Sequence, residues 1–384
     1  MPADAARTGR LGQLLQARQI IVVVGAGGVG KTTLSAALGV AAARQGRRAL
    51  VLTVDPARRL ANALGLRALD EDVQTLSIEQ LRNAGCDAAT PLDVAMLDVK
   101  RTFDRAVRRY ASSAERAEAI MASPFYQTAS TALAGSQEYM AMMRLYEVVT
   151  DGGYDVVILD TPPSAHALDF LDAPRRMIEL FDSRSFRLLL RPFSAGGHVA
   201  SGLFAPSSLM MRGLGRFTSV EAFHDLLGFF ASFSETFDGF VDRARDVMAL
   251  LRGAETSFLV ISATDETSRD EGLFLASRLR DEQMEVAGWI VNRCSAADPA
   301  CGADSAAIAA TIAADVPEQS ARTAIATAAA TMAQLALADR DFATALETAI
   351  GGRCWTRRLP RRSDEPADLG ELDALASMLL EPTP

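Results

Sequence analysis

The chain has 384 residues, of which 49% are hydrophobic and 23% charged, a composition typical of a globular protein with a large core. A formal net charge of −9 argues against nucleic acid as a partner, because phosphate binding needs a dense basic surface. Residues 1–19 lack the apolar run of a secretory signal, and no apolar stretch is long enough to predict a membrane span. We therefore expect a cytoplasmic protein.

Short apolar segments alternate with helical segments along much of the chain. The first, QIIVVV at 19–24, is typical of a strand buried on both faces of a parallel sheet, and a helix is predicted at 31–45. This alternation predicts an α/β fold with a doubly wound, mostly parallel sheet. The other predicted strands are 47–54, 154–161, 256–263 and 286–294, with a helix at 268–283.

Two long segments, roughly 91–150 and 173–253, are predicted to be helical insertions that together form a helical subdomain. The Ala-rich residues 303–349 are predicted to form a helical hairpin on the surface. Residues 352–366, rich in Arg and Pro, are predicted to be a loop, and LGELDALASMLL at 369–380 a final helix.

Residues 25–33 read GAGGVGKTT and fit the phosphate-loop pattern G-x-x-x-x-G-K-[ST] between a strand and a helix. The glycines let backbone N–H groups turn toward phosphate, and the helix N-terminus adds a positive field. Lys31 is placed to bridge β- and γ-phosphate oxygens, and the Thr32 hydroxyl is placed to ligate Mg²⁺. This stretch predicts a nucleotide site.

Two carboxylates follow predicted strands at the edge where open α/β sheets bind ligands. Asp55 can orient or deprotonate an attacking water, or alternatively cap the helix that follows it. Asp160 ends an apolar strand and is expected to hold Mg²⁺ through water. The loop TPPSAH at 161–166 is placed to sense the γ-phosphate, and its His166 is interpreted as structural rather than catalytic.

The strand-end stretch IVNRC at 290–294 bears on the base. Asn292 offers both a donor and an acceptor to an adenine edge. The chain has no N-K-x-D or T-K-x-D stretch that would select guanine through a carboxylate, which favours ATP over GTP.

These elements, in this order, resemble the arsenite-pump ATPase family, which includes the tail-anchored-protein targeting ATPases of the guided-entry pathway. Two weaker matches are to the family's late adenine-packing loop, at Arg-Leu-Pro 358–360, and to its dimer-interface segment, at ALAGSQEYMAM 132–142. The main matching stretches are GAGGVGKTT at 25–33, TVDPARRL at 53–60, LDTPPSAHALDFL at 159–171 and VNR at 291–293.

The resemblance implies a single P-loop ATPase domain over residues 1–384 that binds ATP and Mg²⁺. It implies that Asp55 and Lys31 are catalytic and that Thr32, Asp55 and Asp160 support the metal. Family members work as dimers that close around ATP, and their helical subdomain couples the nucleotide state to a partner or cargo. The residues implied to contact the nucleotide are Gly27, Gly28, Val29, Gly30, Lys31, Thr32, Thr33, Asn292, Arg293, Leu359 and Pro360.

The sequence departs from the family pattern in two ways. Where the family loop carries a lysine that reaches the partner's nucleotide, this chain has Ala26, so slow hydrolysis or another source of charge is expected, with Arg58 and Arg59 as candidates. The C-x-x-C zinc clamp of the targeting ATPases is also absent. No two of the four cysteines, Cys86, Cys294, Cys301 and Cys354, have an obvious paired spacing for arsenite.

The leading interpretation is a slowly hydrolysing dimeric ATPase switch, cytoplasmic, that couples its nucleotide state to a hydrophobic protein client or a membrane partner. Apolar residues between Phe181 and Met211 could form a client groove, or they could pack the subdomain's own core. Two alternatives remain open. One is an anion-transport motor subunit, and the other is a nucleotide-binding scaffold paired in a heterodimer with a lysine-bearing paralogue.

Overall fold

The protein is represented by a computed structural model, and every structural statement below concerns the part of the chain that it describes. Those residues are 9–54, 59–66, 72–124, 126–127, 136–162, 172–176, 178–179, 236, 238–295, 318–362, 366 and 368–381.

The described residues divide into two compact units, and the first contains an eight-stranded sheet. This unit comprises Met1–Met96, Gly152–Leu168 and Arg252–Pro384. The strand order is β3-β4-β2-β5-β1-β6-β7-β8, and every pairing is parallel except that of β3 with β4. The strands are β1 (Ile20–Gly25), β2 (Ala49–Thr53), β3 (Gln74–Leu76), β4 (Leu92–Met96), β5 (Val156–Asp160), β6 (Thr256–Ser262), β7 (Val286–Cys294) and β8 (Trp355–Pro360).

The mostly parallel α/β fold is confirmed, and five of its strands match the predicted ones. Strands β1, β2, β5 and β6 are buried along their whole length, which explains their continuous apolar sequences. Two predictions were wrong: residues 92–96 are a strand and not part of a helical insertion, and residues 355–360 are a strand and not a loop. In β8 apolar and polar residues are mixed, and their burial differs: Leu359 is buried, whereas Arg358 and Pro360 are exposed.

Helices cover the sheet of the first unit. Helix α2 (Lys31–Arg44) is apolar around most of its surface because it lies between the sheet and helix α10 (Leu369–Leu380). Its Leu34 and Leu38 share a core with Leu375 and Leu379. The helices of this unit are α1 (Arg10–Ala17), α2 (Lys31–Arg44), α3 (Arg59–Ala63), α4 (Ile78–Asn83), α8 (Glu266–Asp281), α9 (Gln319–Ile350) and α10 (Leu369–Leu380).

Helix α9 differs from its prediction. Residues 319–350 form one continuous helix of 32 residues, so the hairpin predicted for 303–349 is wrong over this range; residues 303–317 lie outside the described part. Among the side chains of this helix that the structure describes, the buried ones lie in its last turns: Phe342, Ala343, Leu346 and Ile350.

The second unit comprises Leu97–Asp151 and Asp169–Leu251, and its described residues are helical apart from short connections. Tyr139 lies in an aromatic core with Phe103 and Phe240 and donates a 2.7 Å hydrogen bond to the Phe240 carbonyl. The labelled helices of this unit are α5 (Val99–Tyr110), α6 (Ala114–Ala122) and α7 (Ser136–Asp151), and residues 238–251 are also helical.

Two sequence predictions concern this second unit. The segment at 132–142, predicted to lie at a dimer interface, is described from residue 136, and Tyr139 and Met140 are buried in the unit's own core. The apolar residues from Phe181 to Met211 lie outside the described residues. Organisation of residues 1–384 as one domain with insertions at 91–150 and 173–253 stays a prediction.

None of the described helices combines the length and the apolar character that crossing a bilayer needs.

Candidate functional site

The phosphate loop connects β1 to α2, and its glycines have backbone conformations or contacts that other residues rarely tolerate. Gly28 and Gly30 have φ values of +72° and +96°. A Cβ on Gly25 would lie 2.0 Å from the Ile261 carbonyl oxygen of the neighbouring strand. A Cβ on Gly28, in contrast, would meet no atom within 4 Å and would project into the open space at the loop. The loop therefore leaves room for a ligand against its backbone, as a phosphate site requires.

Lys31 begins helix α2 and is only 7% exposed. Its Nζ donates hydrogen bonds of 2.9 Å to the carbonyl oxygens of Gly25 and Ala26. The ammonium therefore lies over the loop itself, which places a positive charge beside the N-terminus of the helix. Both features attract an anion to the loop.

Asp160 ends strand β5 and is fully buried. Its Oδ2 accepts hydrogen bonds of 2.8 Å from the hydroxyls of Thr32 and Thr53, and its Oδ1 lies 3.5 Å from the Ser35 hydroxyl. The structure thus brings together the predicted metal residues Thr32 and Asp160. Mg²⁺ commonly takes only one or two protein oxygens when phosphates and water complete its coordination shell. A hydroxyl and a carboxylate are suitable protein oxygens for this.

Asn292 lies near the end of β7 and supports the loop. Its Nδ2 donates a 2.8 Å hydrogen bond to the Val29 carbonyl, and its Oδ1 accepts one of 2.9 Å from the Arg293 backbone. A Cβ on Gly30 would lie 2.6 Å from the same Nδ2. The predicted adenine contact of Asn292 stays a prediction, whereas its support of the loop was missed from the sequence.

A pocket of about 290 Å³ opens beside the loop at the carboxyl ends of β7 and β8. The predicted nucleotide residues Gly30, Thr33, Asn292, Arg293 and Pro360 line it. Leu359 does not, because its side chain is buried in the core, so its predicted contact with the nucleotide has no geometric support. Arg361 and Arg362 also line the pocket and add positive charge, although neither was among the predicted nucleotide residues.

Ala26 is 5% exposed and packs in the core of the first unit. The loop position that carries a lysine in the family pattern therefore holds a buried methyl group here. Asp55, Arg58 and residues 163–171, predicted to act on the nucleotide or sense it, lie outside the described residues, as does the side chain of Arg59.

The thiols of the described cysteines are expected to have low reactivity. Burial raises the pKa of the Cys86 and Cys294 thiols to about 11 and also raises the pKa of Cys354. At neutral pH these thiols are therefore protonated, and the protonated form is a poor ligand for soft metals. Among the described residues no group of three or more His, Cys, Asp or Glu is arranged to hold a metal ion.

Thr53 and Ser35, which contact Asp160, were also missed from the sequence. Thr53 ends β2, and parallel pairing of β2 with β5 sets it directly opposite Asp160, a neighbour relation that the sequence pattern does not show. Ser35 is one helical turn after Lys31, so it faces the same side of α2.

Comparison with known proteins agrees with this geometry. The family model of anion-transporting ATPases matches residues 18–307. A Paramecium tetraurelia protein named ATPase ASNA1 homolog 1 is 31% identical over 159 residues, which is 41% of this chain and 44% of that protein. The ATPase GET3 of Malassezia globosa is 27% identical over 241 residues, 63% of this chain and 64% of that protein.

A Prosthecochloris vibrioformis protein, provisionally named an arsenical pump-driving ATPase, is 30% identical over 156 residues, 41% of this chain and 36% of that protein. The chain thus spans between about a third and two thirds of the length of these curated relatives. The family match covers most of this chain and includes the phosphate loop, Asp160 and Asn292. The chain belongs to the anion-transporting ATPase family.

Proposed function

We propose that the chain binds ATP with Mg²⁺ and hydrolyses it to ADP and phosphate. One observation carries this proposal: the Thr32 hydroxyl lies 2.8 Å from Asp160 directly beside a glycine loop with space at its backbone. A hydroxyl and a carboxylate so placed are the residue types that hold Mg²⁺ at a triphosphate. The relatives named as ATPases support the same activity.

In this proposal the loop N–H groups and the N-terminus of α2 hold the phosphates. Lys31 exchanges its bonds to the Gly25 and Ala26 carbonyls for phosphate oxygens, a short movement because the ammonium already lies over the loop. Thr32 and Asp160 would hold Mg²⁺, which supplies charge neutralisation at the phosphates. Asp55 would orient the attacking water, and the pocket between Asn292 and Pro360 would receive the base.

We expect hydrolysis to be slow in the isolated chain. Removal of a cation that stabilises the transferring phosphoryl group costs on the order of 10³-fold in rate or more in other nucleotide hydrolases. Ala26 offers no such cation, and its methyl group is buried. The missing charge would come from elsewhere, either a residue of this chain or a lysine-bearing paralogue in a heterodimer.

We also propose that the chain works as a dimeric switch in the cytoplasm and that the second unit transmits the nucleotide state to a hydrophobic protein client or a membrane partner. The proposal is supported by the relatives and by the residues shared with the family pattern. The alternative of an anion-transport motor subunit gains nothing from the described cysteines, whose raised pKa values disfavour the thiolate form that an arsenical would need.

Steady-state phosphate release tests the enzymatic part of the proposal. We expect slow, Mg²⁺-dependent turnover in the wild-type chain and at least a tenfold loss in Asp55→Asn. Asp270→Asn is the matched control, because this aspartate is mostly exposed in helix α8 and should leave turnover unchanged. Turnover that is equal in the wild type and Asp55→Asn would show that the chain is not this ATPase.

The switch part needs a separate experiment. Crosslinking of an apolar helical peptide to the full chain should depend on whether ATP or ADP is present, and light scattering should show a dimer with ATP. Capture that is independent of the nucleotide would refute client coupling while leaving the hydrolysis result intact.

A further inference from the structure

Thr53 lies directly opposite Asp160 on the neighbouring strand. It is the last residue of β2, and the parallel register of β2 and β5 pairs it with Asp160, the last residue of its own strand. Side chains paired in this way point to the same face of a sheet and lie within contact distance. Thr53 is 2% exposed, and its hydroxyl donates a 2.8 Å hydrogen bond to Asp160 Oδ2.

Thr32 contacts the same carboxylate oxygen but differs from Thr53 in its expected task. Its hydroxyl is 2.8 Å from Oδ2, and in the proposed function the same hydroxyl also ligates the metal. Thr53 lies at the end of the neighbouring strand β2, and the proposed function gives its hydroxyl no contact with the metal. Its hydrogen bond can therefore stay in place while Thr32 adjusts to the metal.

The contact to the other carboxylate oxygen is weaker. Ser35 approaches Asp160 Oδ1 at 3.5 Å, at the long limit of a hydrogen bond, whereas the Thr53 contact has a short, strong length. A hydrogen bond to an ionised carboxylate is about twice as strong as one between neutral groups. The contact from Thr53 is thus well suited to fix the direction in which Asp160 presents its oxygens.

We propose that Thr53 is the positioning residue for the magnesium site: its hydrogen bond across β2 and β5 holds the Asp160 carboxylate in the orientation that the metal requires. This inference rests on the proposed nucleotide function and deepens it. Groups that hydrogen-bond to a metal's ligands commonly change metal affinity by 10- to 100-fold when they are removed, so the effect should be measurable.

The test is a Mg²⁺ titration of ATP binding to the full-length chain, followed with a fluorescent ATP analogue. Thr53→Val keeps the branched shape and the burial but removes the hydroxyl, and Thr53→Ser restores the hydroxyl without the methyl group. Thr256→Val is the matched control, because this threonine is also fully buried but lies at the amino end of the interior strand β6, whereas Asp160 lies at the carboxyl end of β5.

We expect Thr53→Val to raise the Mg²⁺ concentration at half-maximal effect by roughly tenfold. Analogue affinity in the presence of EDTA should stay within about twofold of the wild type, which separates metal positioning from a general loss of structure. Thr53→Ser should recover most of the wild-type midpoint, and Thr256→Val should not change it.

A Mg²⁺ midpoint that is the same in Thr53→Val and the wild type overturns this inference alone. An equal loss of affinity with and without Mg²⁺, not rescued by Thr53→Ser, also overturns it, because the role would then be structural. A wild-type chain that binds no analogue, or binds it without regard to Mg²⁺, overturns the proposed function and this inference together.

Discussion

The conformation of Gly30 leads to a prediction about ATP affinity. Its φ is +96°, and an added Cβ would lie 2.6 Å from Asn292 Nδ2, which itself donates to the Val29 carbonyl. Gly30→Ala should therefore strain the backbone by about 1–2 kcal/mol and displace a hydrogen bond that contributes about 1 kcal/mol. This cost lowers ATP affinity to the extent that the substituted loop leaves this conformation when no phosphate is bound.

The expected total is about 2–3 kcal/mol, which corresponds to roughly a 30- to 150-fold loss of ATP affinity. Isothermal titration calorimetry with Mg²⁺ measures this loss. Two glycines serve as controls, because a Cβ on Gly28 or on Gly65 meets no atom within 4 Å although both residues have positive φ.

The two controls separate strain from contact. Gly65→Ala lies outside the loop and should lower the melting temperature without changing ATP affinity. Gly28→Ala should give an intermediate loss of affinity, because it adds strain in the loop without displacing Asn292. A Gly30→Ala variant that binds ATP as well as Gly65→Ala does would show that the backbone conformation and the Asn292 contact of Gly30 do not affect ATP affinity.

Three further predictions concern other parts of the first unit. Asn292→Ala removes the 2.8 Å bond to the Val29 carbonyl and should weaken binding of tripolyphosphate as well as ATP, by roughly 3- to 10-fold in calorimetry; a loss confined to ATP would show that this residue serves only the base. Cys294 has a pKa raised to about 11 by burial, so alkylation at Cys294 in the folded chain, followed by peptide mass spectrometry, should be slow at pH 8 and accelerate toward pH 11, and fast labelling of this residue at pH 8 would contradict its burial. Leu38→Ala should cost about 2–5 kcal/mol of unfolding free energy in urea, since this side chain is fully buried, and a cost under about 1 kcal/mol would show that the core packing is misassigned.

The sequence predicted the parts of the fold that are buried on both faces. Strands such as Ile20–Gly25 and Val156–Asp160 are continuous apolar runs, and that pattern has few competing interpretations. Strand Leu92–Met96 was missed because LDVAM merges into a helical pattern, and Trp355–Pro360 because WTRRLP is polar and ends in proline. An edge strand needs only half of its residues to be apolar, so it resembles a loop in sequence.

In the candidate site too, residues placed by local sequence were predictable, and residues placed by tertiary contacts were not. The loop residues and Asp160 were predictable because their spacing is local to one strand–loop–helix segment or to one strand end. The contact of Thr53 with Asp160 and that of Asn292 with the Val29 carbonyl depend on the order of the strands in the sheet. That order, with β5 between β2 and β1, is a tertiary property that local pattern does not encode. Alternation along β8 likewise turns the Leu359 side chain into the core, and its predicted contact with the nucleotide stays a prediction.

The affinity of the full-length chain for ATP, measured with and without Mg²⁺ in the wild type and in Lys31→Ala, tests the central claim most directly. We expect saturable binding that tightens with Mg²⁺ and weakens at least tenfold in Lys31→Ala, because this ammonium lies over the loop that would hold the phosphates. Binding that is absent, or that is the same in Lys31→Ala and the wild type, would contradict it.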